Sequence, residues 1–179
     1  MLSVPSDIVV LLFAVLIDLV SRELPSKCHP TAWMGKTVSL AEQIAPETKV
    51  AQLLFGTLMG LSIPASWAIG AYFAAWGLAS IHEIAYILVG AVLLKTTFAL
   101  RMLHRVGTQV RDFLMEGDIW QVRENMRSLV SRDVSNLSAE QAVAGAVESV
   151  SENITDSVIG PLLAFAIFGL PGAGAYRAV

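Results

Sequence analysis

Three carboxylates stand four residues apart in the last quarter of the chain: Glu148, Glu152 and Asp156. On a helix turning about 100° per residue they fall within one sector roughly 80° wide. Thr155, Gly145 and Ser149 share or flank that face, and Asn153 lies further round. Like charges at this spacing repel, at about a few tenths of a kcal/mol per pair on an exposed helix. No Lys or Arg occurs between Arg132 and Arg177 to relieve them. Asp156 also stands at the threshold of an apolar run, where a bare carboxylate is costly and usually functional. Two readings follow. One is a solvated acidic face. The other is a site for a hard cation such as Mg²⁺, which takes carboxylate oxygens together with waters and phosphate oxygens.

Other chemistry-bearing residues form weaker patterns. Gly90 and Lys95-Thr96 suggest a phosphate loop, but Leu94 occupies the position that needs the second Gly. His82-Glu83 has no second His at helical spacing, so a zinc-protease motif fails and the pair reads as decoration of a turn. Cys28 is the single cysteine, which permits no internal disulfide. Asn153-Ile154-Thr155 matches a glycosylation acceptor but sits in a segment read below as cytoplasmic.

The elements that must carry these residues are apolar to an unusual degree. Of 179 residues 55% are hydrophobic and 15% charged, with a mean hydropathy of +0.63. That surplus has nowhere to go except lipid, and it exceeds the usage of ordinary soluble domains. A net charge of −3 argues against a nucleic-acid partner, which usually needs a basic face. From Val50 to Ile81 run 32 residues without Asp, Glu, Lys or Arg, and from Ser157 to Tyr176 another 20. Each is long enough to cross a bilayer as a helix. Ile84 to Leu100 is a third candidate, interrupted by Lys95 and two threonines, and Ile8 to Val20 is a marginal one carrying Asp18.

Pro64 sits near the middle of the longest run. Two helices split there would be roughly 21 and 26 Å long, each short for a hydrocarbon core of about 30 Å. One tilted helix kinked at Pro64 is the simpler expectation, with a re-entrant hairpin as the alternative. Under it, segments 21–49 and 101–156 share one side of the membrane and hold ten of the twelve basic residues. The positive-inside rule makes both cytoplasmic. Trp67, Tyr72, Phe73 and Trp76 read as lipid-packing and interface anchors.

Segment 101–156 reads as amphipathic helices. Leu100, Leu103, Val106, Val110, Phe113 and Leu114 recur at steps of three and four until Gly117. Asp118, three residues before Gln121, starts a second stripe of Ile119, Val122, Met126, Leu129 and Val130. Arg101, Arg105, Arg123 and Arg127 read as the solvated or headgroup-facing surface of these two helices. Ser138 with Gln141 forms a capping box for a third helix. In that helix Val143, Val147, Val150, Ile154 and Val158 fall in one sector, opposite the carboxylates. The expected fold is therefore all-α: a polytopic integral membrane protein with amphipathic cytoplasmic helices.

Four ordered motifs extend over essentially the whole chain. Asp18-Leu19, Pro25, His29-Pro30 and Trp33-Met34-Gly35-Lys36 lie near the start. Arg132-Asp133 is followed by Leu137, and Glu148, Glu152-Asn153, Asp156 and Pro161 come next. Pro171-Gly172-Ala173, then Tyr176-Arg177, close the set. Together they resemble the cobalamin-biosynthesis membrane proteins that make adenosylcobinamide phosphate. There are departures: Arg22-Glu23-Leu24-Pro25 stands where the family usually has Gly-Asp/Glu-Pro, and Ser131 where Gly commonly precedes Arg-Asp. The chain stops at Val179, where such proteins continue with Asn-Thr-x-Asp and further transmembrane segments. Residues 1–179 thus read as one membrane domain, the N-terminal part of a longer fold.

The resemblance implies a ligase of the cell membrane that joins an amino alcohol, or its phosphate, to adenosylcobyric acid by an amide bond, with ATP cleavage. It implies Mg²⁺ and ATP as cofactors, a corrinoid as substrate, and oligomers or other corrinoid-assembly proteins as partners. Glu148, Glu152 and Asp156 become the catalytic set, with Glu152 and Asp156 as metal ligands. His29, Arg132, Asp133, Asn153 and Arg177 become substrate-binding residues. The same superfamily holds a group associated with signalling of cell-wall stress, so a non-catalytic membrane protein is the alternative.

Overall fold

The computed structural model describes residues 4–21, 29–126 and 138–179. Among these residues eight α-helices follow in order: α1 Val4–Val20, α2 Pro30–Glu42, α3 Lys49–Ile81, α4 Glu83–Lys95, α5 Leu100–Glu116, α6 Ile119–Met126, α7 Ala139–Ile154 and α8 Gly160–Arg177. A π turn, Thr155–Ile159, stands between α7 and α8. No strand occurs among the described residues. Among the described residues three helical stretches, Lys49–Ile81, Glu83–Glu116 and Ala139–Arg177, are long and apolar enough to cross a membrane. The protein is an all-α, polytopic membrane protein. It divides into two compact units, one of residues 1–98 with 160–179, the other of residues 99–159; the second takes in all of segment 101–156.

In the first unit α3 runs through Pro64 without a break. Its 33 residues extend about 50 Å at 1.5 Å per residue. Pro64 withholds one backbone donor, and beside it the Ser66 hydroxyl donates to the Ile63 carbonyl at 2.7 Å. Leu54, Leu58, Leu61, Ile69, Phe73 and Trp76 are all exposed, which suits a helix apolar on every side and bathed in lipid.

Helices α1 and α4 pack side by side and run parallel, because like ends meet. At their starts the Ser6 hydroxyl donates to Glu83 Oε1 at 2.5 Å, and the Tyr86 hydroxyl to Asp7 Oδ1 at 2.5 Å. Midway, Gly90 lets Val10 approach: a Cβ on it would lie 3.5 Å from the valine methyl. At the other end Asp18 faces Lys95. His82 closes α3 and opens α4, its Nδ1 accepting the Ile84 N–H at 3.1 Å. The residue read as turn decoration is thus a helix cap.

The 20-residue apolar stretch in the last part of the chain is not one straight helix. Gly169 has φ 66° and ψ −157°, a region open essentially to Gly alone. A Cβ on Gly172 would meet Ala164 and Phe168, and one on Gly160 would overlap the Tyr176 ring. In a straight helix residues 160 and 176 would be about 24 Å apart. The chain therefore reverses at Gly169, and α8 is a hairpin of two short helical arms. Pro171 sits in the first turn of the second arm, where its missing N–H costs nothing. Gly174 lies against Ala71 and the Trp67 carbonyl of α3.

The second unit is built from α5, α6, α7 and the π turn. Its core is Val110, Val122, Met126, Ala142 and Ala146, with Phe113, Leu114 and Ile119 packed against it. Local signals make its boundaries. Gly117 ends α5 in the left-handed region at φ 76°, and Asp118 Oδ1 accepts the Gln121 N–H at 3.1 Å. Ser138 Oγ accepts the Gln141 N–H at 3.2 Å, while Gln141 Oε1 accepts the Ser138 N–H at 2.9 Å. Leu129 and Val130 lie outside the described residues. The face of α7 that packs is the small one, Ala142, Ala146 and Ser149. Val143 and Ile154 are exposed, and Val147 is 62% exposed. Small side chains win the interface because they let backbones approach closely: Met126 Cε would lie 2.9 Å from a Cβ on Gly145.

Candidate functional site

The capping box starts α7 firmly, and its register then delivers Glu148 and Glu152 to one exposed face. Asp156 is exposed as well, but it stands in the π turn, one step past the α-helical register. Among the described residues Glu152 and Asp156 make no ion pair or side-chain hydrogen bond. Two free carboxylates of this kind fit Mg²⁺, which binds through one or two carboxylates plus waters and phosphates. A complete protein cage is not what they offer: among the described residues no three His, Cys, Asp or Glu side chains come together as a metal-binding group.

Asn153 is half-buried and held by a ladder on the inner side of the acidic face. Its Nδ2 donates to the Ser149 carbonyl at 2.8 Å and to Ser149 Oγ at 3.3 Å. Its Oδ1 accepts the Ser157 hydroxyl at 3.4 Å. The ladder crosses from α7 into the π turn, so it fixes the backbone that carries Asp156. The Ala99 N–H donates to the Ser157 carbonyl at 3.2 Å and ties that turn to the start of α5.

The other candidates belong to the first unit or lie outside the described residues. His29 is the N-cap of α2, extended at φ −89° and ψ 119° because Pro30 follows. Its imidazole makes no capping bond to its own helix. Arg177 closes α8, with its Nε buried and without a hydrogen-bond partner among the described residues. Arg132, Asp133, Cys28 and Arg127 lie outside the described residues.

The pairing of Asp18 with Lys95 escaped the reading of the sequence, where Asp18 entered with the first motif and Lys95 as an interruption of an apolar run. Their side chains are 0% and 2% exposed, with Lys95 Nζ 3.7 Å from Asp18 Oδ1. The available signal was opposite charge in two apolar runs, and it lacked the pairing of α1 with α4 to become specific.

Helices long and apolar enough to cross a membrane, and a carboxylate stripe exposed on α7 and the π turn, define a polytopic all-α membrane protein. Residues 11–179 match the CobD/Cbib protein family. The chain belongs to that family. It is 40% identical over 173 residues to the cobalamin biosynthesis protein CobD of Dehalococcoides mccartyi (strain CBDB1), covering 96% of this chain and 56% of the relative. A probable cobalamin biosynthesis protein CobD of Methanocaldococcus jannaschii is 36% identical over 176 residues, covering 96% and 57%. The CobD of Geobacter metallireducens is 36% identical over 170 residues, covering 95% and 54%. The chain spans a little over half the length of these curated relatives. No solved structure matches it.

Proposed function

We propose that this chain forms the N-terminal part of a membrane-bound ligase of corrinoid assembly. The reaction joins an amino alcohol, or its phosphate, to a carboxyl group of adenosylcobyric acid. The observation that carries this reading is the exposed, unpaired pair Glu152 and Asp156 in a chain of the CobD/Cbib family.

A carboxylate is a poor acyl donor until one oxygen becomes a good leaving group. Attack of the corrinoid carboxylate on the γ-phosphorus of ATP breaks the bond to ADP and leaves an acyl phosphate. The amine then attacks the carbonyl carbon, phosphate departs, and the nitrogen loses a proton. Glu152 and Asp156 would hold Mg²⁺, which offsets the charge of the phosphates. Glu148 serves as a third ligand or as the base that takes the amine proton. Asn153, stiffened by Ser149 and Ser157, orients the substrate. Arg132 contacts phosphate, and His29, Asp133 and Arg177 bind substrate. Because ATP is cytoplasmic, segments 21–49 and 101–156 face the cytoplasm and the protein lies in the cell membrane, with corrinoid-assembly proteins or further copies as partners.

The test is a chimera in which this chain replaces the corresponding part of the Dehalococcoides mccartyi relative, supplied to a strain lacking the amide-forming step. Growth rescue with Mg²⁺- and ATP-dependent amide formation is expected, lost in Glu152→Gln and Asp156→Asn. Rescue and turnover unchanged by both substitutions would remove the assignment. A folded chimera that binds no corrinoid and rescues nothing would favour the signalling alternative.

A further inference from the structure

We infer that the crevice between α1, α3, the start of α4 and the α8 hairpin is a binding site for a membrane lipid whose headgroup carries an ammonium. The crevice lies wholly within the first unit and has a volume of about 780 Å³. Ile8, Leu11, Ala75, Ala79 and Phe165 are among its apolar walls. Trp76, Ile167 and Phe168 also line it and are largely exposed, so a lipid reaches it sideways from the bilayer. The helical stretches on either side of His82 are both long and apolar enough to cross a membrane, which puts the turn between them at a membrane surface. Ser80 lines the crevice close to that turn, and Tyr72 lines it eight residues earlier on α3. That is about 12 Å deeper at 1.5 Å per residue. Such a depth takes a headgroup at the mouth and the first part of an acyl chain inside.

The charge of the lining selects the headgroup. Among the described residues it holds one carboxylate, Asp7, and no Lys, Arg or His. Asp7 stands in the first turn of α1, where the helix dipole favours an anion. Its Oδ1 accepts the Tyr86 hydroxyl at 2.5 Å, and its Oδ2 makes no hydrogen bond to any described residue. A neutral donor leaves the negative charge uncompensated, in a crevice also lined by the rings of Tyr72, Trp76 and Tyr86. An ammonium is drawn to a carboxylate through charge-assisted hydrogen bonds and to aromatic faces through their quadrupoles. Among the described residues neither the Tyr72 hydroxyl nor the Trp76 indole N–H has a hydrogen-bond partner. Tyr and Trp carry a polar handle on an apolar body, and the phosphate and ester oxygens of a lipid are acceptors for both. An anionic lipid brings the same tails and oxygens but sets its net charge against Asp7. The site is independent of which reaction the protein catalyses.

Tryptophan fluorescence of the full chain in mild detergent tests the site, with phosphatidylethanolamine carrying brominated acyl chains as the probe. Bromine quenches an indole on contact, so binding beside Trp76 should give a saturable loss of emission that Trp76→Phe removes. Acetylating the lipid nitrogen removes its positive charge and should weaken binding about tenfold, the scale of one charge-assisted hydrogen bond. Asp7→Asn keeps an acceptor for Tyr86 and should weaken binding of the free amine by a similar factor, with no further loss for the acetylated lipid. Tyr86→Phe leaves the carboxylate charged and should not weaken binding. Equal affinity for the amine, its acetylated form and brominated phosphatidylglycerol would overturn the site, as would saturable quenching that survives Trp76→Phe. So would the absence of saturable quenching, the result expected if a second copy of the chain or unselected lipid fills the crevice. The comparison of lipids uses the unaltered protein, so it decides the matter even where Asp7→Asn does not fold.

Discussion

The Tyr176 ring lies against Gly160, sixteen positions earlier in the chain, so closely that a Cβ on the glycine would overlap it. This contact makes α8 a hairpin. It predicts that Gly160→Cys and Tyr176→Cys, introduced together with Cys28→Ser, join through a short thiol crosslinker within one chain. In a straight helix the two would stand about 24 Å apart, beyond the reach of a short reagent. Mass spectrometry of the digested protein reads the result, and absence of the link in folded protein would rule the reversal out.

The reversal depends on one backbone conformation. Gly169 at φ 66° and ψ −157° sits where a side chain costs about 1–3 kcal/mol. Gly117, at φ 76°, is in the milder left-handed region, where the cost is about 1–2 kcal/mol. Gly169→Ala should lower the melting temperature more than Gly117→Ala, and only the first should reduce the crosslink just described. Equal effects of the two on crosslinking would contradict a hinge at Gly169.

Locally encoded features were legible in the sequence. The Ser138–Gln141 box, the Gly117 stop and the Asp118 cap each need only three or four residues, and all three occur. Helix α3 was legible because two pieces split at Pro64 would have been short for a bilayer. Three things were hidden, each for a physical reason. The packing face of α7 follows closeness of approach rather than hydrophobicity, so Ala142 and Ala146 are buried while Val147 is not. The α8 reversal turns on the φ of one glycine among thirteen. Asp18 and Lys95 are paired only once α1 and α4 are known to be parallel. Of the candidate site, the stripe through Glu148 and Glu152 was readable from helical period. The π turn under Asp156 was not, because one inserted residue leaves no mark on composition.

The buried pair allows a prediction about stability. Asp18→Leu alone leaves an ammonium buried, and Lys95→Met alone leaves a carboxylate. Either single change should cost about 3–5 kcal/mol. The double variant should recover most of that loss, since an apolar pair of similar volume suits an apolar surrounding. Denaturation in mild detergent measures the three variants. Additive losses would show that the two side chains do not act on each other.

The acidic face gives the last prediction, independent of any turnover assay. Glu148, Glu152 and Asp156 are exposed, so their mutual repulsion is worth only about a few tenths of a kcal/mol per pair. Neutralising Glu152 or Asp156 should change the melting temperature in metal-free buffer only slightly, and upward. A bound cation adds stability in proportion to the logarithm of its concentration over its dissociation constant. Mg²⁺ together with a non-hydrolysable ATP analogue should therefore raise the melting temperature of the parent protein, and EDTA should reverse it. The double variant Glu152→Gln with Asp156→Asn should lose that Mg²⁺-dependent rise while keeping its baseline. A rise of equal size in both proteins would place the cation elsewhere, and the stripe would then be a solvated surface.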